Sequence, residues 1–403
     1  MEFLVVLLLV LLVTRVAGEL FRRAGQAPLI GEVLAGIVLG PAVLAWISPD
    51  PATELGAALG IVVALGILFL VLSAGLEVGA EGLRQALRDR TYIVAATEFV
   101  FPFGLGYAFA QALGMDLVGS LFMGTAMAVT ALPVSVRILM DLNLLGTRFG
   151  RGIVSVAAAN DVLAFAFLGV VLELHAAGGT AIPTAELATS VAKVLAFVGL
   201  ICCVGWLFRR APRGEGQRRY LASVVARLRT PEASFAVVLL VALAMGVGAE
   251  RLGLHFAIGV FYAGAFLTRK TIGEGPFVLV QNSVRSVSLG FLAPFFFAFV
   301  GLNVVLQTSN WSLVLMVTAI AFVGKVLGGL IGGTLAGFRG HALAALAVGL
   351  NARGMMELLL AQVGLAAGII DADLYSAIVI MTLVTTLSTP PILKAILKGQ
   401  KLE

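Results

Sequence analysis

The chain has 403 residues, 60% of them hydrophobic and only 12% charged, with 47 glycines and a formal net charge of +5. Soluble domains carry about 25% charged residues, so with a mean hydropathy of +1.06 an ordinary water-soluble fold is excluded and lipid must surround most of the surface. The two cysteines, Cys202 and Cys203, are adjacent in an apolar run and offer neither a normal disulfide nor a metal cage.

At about 20 apolar residues per span plus short connections, a chain of this length admits on the order of 13 membrane helices. Cut at charges, prolines and polar clusters, the sequence predicts an all-α membrane protein with spans at 3–20, 28–47, 55–78, 92–113, 117–140, 152–174, 187–208, 233–249, 255–267, 288–306, 312–337, 342–369 and 374–397. The first span follows the acidic start Met1-Glu2-Phe3 instead of a basic leader, so it is expected to stay as a helix. Counted on alternate connections, the basic residues fall almost wholly on one side, from Arg22 and Arg23 through Arg84, Arg148, Arg209, Arg269 and Arg339 to Lys394. The other side holds Arg251. By the positive-inside rule the N-terminus is expected outside and the C-terminus in the cytoplasm. The same distribution places the excess charge at lipid headgroups and not on nucleic acid.

The chain also resembles itself. FLVLSAGLEV at 69–78 and FFFAFVGLNV at 295–304 each lie late in a span. Overlaying them sets the third span on the tenth, an odd offset that requires the second copy to be upside down. A first repeat over 1–174, a connector helix at 187–208 and a second, inverted repeat over 233–397 are therefore expected.

Five ionisable side chains fall deep in apolar runs: Glu98, Asp161, Lys193, Lys325 and Arg353. Each costs about 2.5–3.5 kcal/mol at the centre of an isolated membrane helix, so such groups face a cavity, pair, or perform the function. Arg15 lies near enough to a span end to snorkel. Asp161 has no compensating charge within a turn, Asn160 beside it adds an amide, and Ala157, Ala158 and Ala159 clear space. A carboxylate with amide and backbone oxygens suits a monovalent cation, because divalent ions want more carboxylates. The same carboxylate can take a proton instead. An interhelical hydrogen bond is the structural alternative.

Thr130-Ala131-Leu132-Pro133 puts a proline in mid-span, which removes a helix hydrogen bond. Gly349-Leu350-Asn351-Ala352-Arg353-Gly354 occupies the corresponding place in the second half. Two interrupted spans in matching positions point to a transporter's midplane site, where Thr130 can offer oxygens to the ion. Lys325, among glycines, can pair with Asp161 when no cation is bound, or neutralise the carbonyl end of a half-helix. Arg353 reads as charge compensation at the break. Arg137 and Glu357, just beyond the two breaks, form a possible structural pair, while Glu32 and Glu77 near span ends read as solvated interfacial carboxylates. Glu98 falls close to Lys325 when the repeats are superposed, although a partnership would still require contact. His175, His255 and His341 sit at span ends, and no motif for nucleotide, dinucleotide or zinc binding appears, so no cofactor is expected.

These blocks resemble the monovalent cation:proton antiporter-2 family: IGEVLAGIVLGP from Ile30, FLVLSAGLEV from Phe69, AVTALPVSVRIL from Ala128, AAANDVLAF from Ala157, APFFFAFVGL from Ala293, GKVLGG from Gly324 and GLNARGMMELLLAQVGL from Gly349. The resemblance covers nearly the whole chain. It implies the sodium/proton antiporter fold, with two crossed discontinuous helices in a core domain beside a dimerisation domain, and a homodimer in the cell membrane. It also implies exchange of a monovalent cation for protons by alternating access, and no enzymatic activity. On it, Asp161 matches the ion-binding aspartate, Asn160 its partner, Thr130 the unwound-helix threonine and Lys325 the basic residue facing the core. Sodium is the expected cation and potassium the alternative; an organic-anion symporter on the same architecture and a non-transporting sensor are the other readings. Asn160 resembles electroneutral relatives, whereas those usually carry arginine where Lys325 stands. The chain ends soon after the last predicted span, so nucleotide or glutathione gating is not expected.

Overall fold

The computed structural model describes residues 3–86, 91–141, 144, 147–176, 232–252, 254–306 and 310–398, and of the side chains at 79–86, 133, 137, 141, 148, 149, 151 and 270 nothing is said. Among the described residues all regular structure is helical. In chain order the helices are α1 (Phe3–Arg23), α2 (Pro28–Leu39), α3 (Glu54–Ala86), α4 (Thr91–Ala112), α5 (Leu117–Ala128), α6 (Leu132–Asp141) and α7 (Arg148–Ala176). The second half holds α8 (Ala233–Arg251), α9 (Phe256–Phe266), α10 (Arg269–Ile272), α11 (Glu274–Val287), a π-helical turn at Ser288–Leu292, α12 (Ala293–Leu302), α13 (Trp311–Leu335), α14 (Gly340–Gly349), α15 (Met355–Ala366) and α16 (Ala372–Leu397). The connector expected at 187–208, with Lys193, lies outside the described residues.

Among the described residues eight helical stretches are long and apolar enough to cross a membrane. The shorter apolar helices explain where the observed bounds leave the expected ones. α2 stops at Leu39 instead of running to 47, because Pro41 disfavours helix at Gly40, which is extended (φ −82°, ψ −178°). The span expected at 288–306 begins earlier: α11, the π turn and α12 form one rod over Glu274–Leu302. The two interrupted spans are broken at 129–131, between α5 and α6, and at 350–354, between α14 and α15.

Packing divides the helices into two groups. α1, α2, α3, α8, α9, α11 and α12 pack mainly on one another, and α4, α5, α6 and α7 pack with α13, α14, α15 and α16; α3 against α7 is the main seam between them. Within each group contacts come in matched pairs: α1–α2 with α8–α9, α2–α12 with α9–α3, α4–α5 with α13–α14, and α6–α7 with α15–α16.

α4 and α13 make the most extensive of these contacts, and glycine makes it possible. A Cβ on Gly328 would lie 2.8 Å from the Thr97 carbonyl oxygen and 2.9 Å from Glu98 Cα, and one on Gly324 would lie 2.9 Å from Pro102 Cα. Thr97 Oγ1 closes the contact by donating to the Gly328 carbonyl at 3.0 Å. This close approach carries Lys325 to Glu98.

Candidate functional site: the crossing of two broken helices

The broken helices meet backbone to backbone, with the Ala131 N–H donating to the Ala352 carbonyl at 3.1 Å. Such proximity needs a residue without a side chain, since a Cβ on Gly354 would lie 2.8 Å from Val134 Cγ2 and 3.0 Å from Ala131 Cβ. Each helix break exposes carbonyls at one half-helix end and N–H groups at the other. Buried side chains answer them. Arg353 donates from Nη1 to the Ala126 carbonyl at 3.0 Å and from Nη2 to the Met127 carbonyl at 2.7 Å. Lys325 Nζ donates to the next carbonyl, Ala128, at 2.5 Å. Two cations thus cap three successive carbonyls at the negative end of α5, the favourable arrangement for a helix dipole. On the other break, the Gly354 N–H donates to Glu357 Oε2 at 2.9 Å, and Glu357 faces Arg353 at 3.7 Å. Thr386 Oγ1 holds the Arg353 carbonyl at 2.7 Å.

Beside this crossing sits a second polar cluster, with Glu98 at its centre. Its Oε2 accepts from Lys325 Nζ at 2.9 Å, from Asn160 Nδ2 at 2.5 Å and from Thr130 Oγ1 at 3.1 Å. Thr130 Oγ1 in turn accepts from Lys325 Nζ at 2.6 Å. Of the two roles open to Lys325 in the sequence, pairing with Asp161 is therefore not what this structure contains; the ammonium sits on Glu98, Thr130 and a half-helix carbonyl. The side chains of Lys325 and Glu98 are both 0% exposed.

Asp161 is different. It is 1% exposed, and neither carboxylate oxygen has a hydrogen-bond partner. The neighbouring Asn160 spends its amide N–H groups on Glu98 and Thr130, which leaves Asn160 Oδ1 buried and free. Asn351, in the second break, has both polar atoms buried without a partner. Buried polar groups are normally satisfied, so an unpartnered carboxylate with an amide oxygen on the adjacent residue is the chemistry of a site that holds a cation or a proton. Among the described residues no group of three His, Cys, Asp or Glu can hold a metal ion.

The structure brings Asn160, Thr130, Lys325 and Glu98 together, and joins the first break to the second, which carries Asn351 and Arg353. Pro133 falls in the first turn of α6, where its missing N–H costs nothing. The pair of Glu357 with Arg137 is not addressed, because the Arg137 side chain lies outside the description; the Glu357 carboxylate meets Arg353 and Gly354. Two expectations change. Glu32 is buried, not solvated, against Gly18 of α1. Arg15 does more than snorkel: it donates to the Leu289 carbonyl at 2.7 Å and to that of Gly290, within the π turn. The sequence singles out Glu98 as a buried charge and places it close to Lys325 in the repeat overlay, but not as the acceptor of three donors.

The family described as "Sodium/hydrogen exchanger, transmembrane" matches residues 6–399. The chain is 30% identical over 397 residues to the Na(+)/H(+)-K(+) antiporter GerN of Bacillus cereus, covering 98% of this chain and 96% of that protein. To the Na(+)/H(+) antiporter of Enterococcus hirae it is 28% identical, with 98% of each covered. Its fold is similar to the structure of the sodium proton antiporter MjNhaP1 from Methanocaldococcus jannaschii at pH 8, with a TM-score of 0.74 and 17% identity over 98% of this chain and 97% of that one.

Proposed function

Because the chain belongs to the transmembrane sodium/hydrogen exchanger family over residues 6–399, we propose that it is a secondary antiporter exchanging a monovalent cation for protons, with Asp161 as the group that holds either one. The observation that carries this reading is the Asp161 carboxylate, buried with both oxygens unpartnered, beside an Asn160 amide oxygen that is likewise buried and unpartnered. A carboxylate cannot keep a proton and a bound cation on the same charge, so the two compete, and that competition couples their movements. Asn160 Oδ1 supplies a second oxygen to the cation. Thr130, tied to Glu98 and Lys325, contributes the backbone of the broken α5–α6 segment. Lys325 with Glu98, and Arg353 with Glu357, keep the crossing electrically balanced. Sodium is the preferred cation; potassium is the second reading, favoured by the relative from Bacillus cereus that has both ions in its name.

The α4–α7 and α13–α16 group is the moving carrier, and the remaining helices are the scaffold. Residues 1–174 and 233–397 are read as inverted copies joined by 187–208, supported by the matched contact pairs. An N-terminus outside, a cytoplasmic C-terminus, location in the cell membrane and a homodimer complete the reading, with the one-sided basic loops as support for the direction.

The test is cation-dependent proton flux in proteoliposomes, comparing sodium, potassium and lithium. Parent protein is expected to acidify or alkalinise the lumen in step with the imposed cation gradient, and Asp161→Asn to lose the coupling. Coupled exchange retained in Asp161→Asn at the parent rate contradicts the site.

A further inference from the structure

The end of α12 is incomplete without the carrier group. A helix leaves its last carbonyls without intrahelical donors. At α12 the chain itself serves two of them: Asn303 Nδ2 donates to the Phe299 carbonyl at 2.8 Å and the Val304 N–H to that of Gly301 at 3.1 Å. The carbonyl between them, Val300, takes its hydrogen from Tyr375 Oη on α16, at 2.8 Å. Just past the helix end, the Val305 N–H donates to Ser376 Oγ at 2.9 Å. Consecutive residues of α16 thus cap one donor and one acceptor of the scaffold, across the boundary between the two helix groups. Tyr375 is fully buried and Ser376 nearly so. Gln362 Oε1 on α15, at 3.2 Å, is a second and longer-range acceptor for the same hydroxyl hydrogen, within the carrier.

We propose that Tyr375 and Ser376 form a latch that holds the carrier shut against the scaffold at this end, and that releasing it is part of opening the site to the adjacent solution. Separating the groups strips Val300 and Val305 of their partners. In an apolar interior that is costly, but where water enters as the gap widens the same groups are rehydrated. The latch is therefore stable while dry and released when wet, which suits a gate at a membrane face and not a permanent tie. Its hydroxyls act by positioning; neither touches the ion site. The inference rests on the antiport reading only for its purpose, and its geometry stands without it.

The test places a cysteine at buried Val304 in full-length protein with Cys202 and Cys203 changed to serine, reconstituted in vesicles. Labelling by a membrane-impermeant maleimide is then followed from each side. Tyr375→Phe, which keeps the ring and removes only the hydroxyl, is expected to speed labelling several-fold from the side where α12 ends. Ser376→Ala is expected to do the same and serves alone if the first variant does not fold. Thr382→Ala, whose hydroxyl bonds only within α16, is expected to leave the rate unchanged. Equal labelling in the parent and both latch variants, or the same acceleration in Thr382→Ala, overturns the latch. Labelling requires no ion flux, so loss of exchange with the labelling pattern intact refutes the antiport reading and leaves the latch standing.

Discussion

One oxygen of Glu98 receives three donors, from Lys325, Asn160 and Thr130, while both oxygens of Asp161 receive none. On the proposed reading, this contrast marks Glu98 as a structural acid and Asp161 as the ion-binding one. Removing one partner of a buried ion pair strands the other charge, at a cost of about 3–5 kcal/mol. Lys325→Met is accordingly expected to destabilise the protein by that amount in a thermal or denaturant unfolding assay, and Lys325→Met combined with Glu98→Gln to recover most of it. Failure of the second change to recover stability would show that Lys325 acts mainly on the α5 carbonyl end. At the ion site, Asn160→Ala removes the free amide oxygen and is expected to raise the cation KM about tenfold, the equivalent of one hydrogen-bond-scale contact to a charge. Competition also sets a sign: as pH falls, protons occupy more of Asp161 and the apparent cation KM rises, whereas a non-competitive site would change turnover alone. That Asp161 and Lys325 are buried polar centres was legible in the sequence because a charge in an apolar run is costly wherever it falls, and Asn160 was found as the amide beside Asp161. The partner of Lys325 was not, since which carboxylate it meets depends on how deeply α4 and α13 approach.

At the scale of elements, the two broken helices were visible from Pro133 and from the Gly349-to-Gly354 run, because both residue types weaken a helix locally. The caps that stabilise the breaks were only half visible. Charge compensation by Arg353 follows from its position, but its donation to Ala126 and Met127 of the other broken helix is a tertiary contact with no sequence period. Where the apolar signal is continuous, ends are poorly marked: α2 stops at Gly40-Pro41, and the Glu274–Leu302 rod starts well before its apolar part. Glycine at the α4–α13 contact yields a prediction at this scale. Gly328→Ala places a methyl 2.8 Å from a backbone oxygen, an overlap of the kind that costs about 1–3 kcal/mol. It is expected to lower stability and, by parting Lys325 from Glu98, to slow exchange, while alanine at Gly104, where nothing lies within 4 Å, leaves both unchanged.

For the whole molecule, the grouping of helices follows from which faces can approach, and matched contacts between halves are what the proposed inverted copies would produce. Lys325 is paired with Glu98, and on the proposed reading the carrier's variable charge is that of Asp161, neutralised in turn by a cation or a proton. A carrier of that kind moves no net charge. Each elementary charge crossing 100 mV is worth about 2.3 kcal/mol, so exchange measured in proteoliposomes is expected to proceed at the same rate at zero and imposed potential. A voltage-dependent rate would require a second titrating group in the cycle.

The central claim is that one buried carboxylate holds cation and proton alternately. Its most direct measurement is proton release on cation binding, followed with a pH indicator in weakly buffered, purified protein without any membrane gradient. About one proton per bound sodium is predicted for the parent protein, with none for Asp161→Asn. Sodium binding that releases no proton, or release that survives Asp161→Asn, would contradict the account.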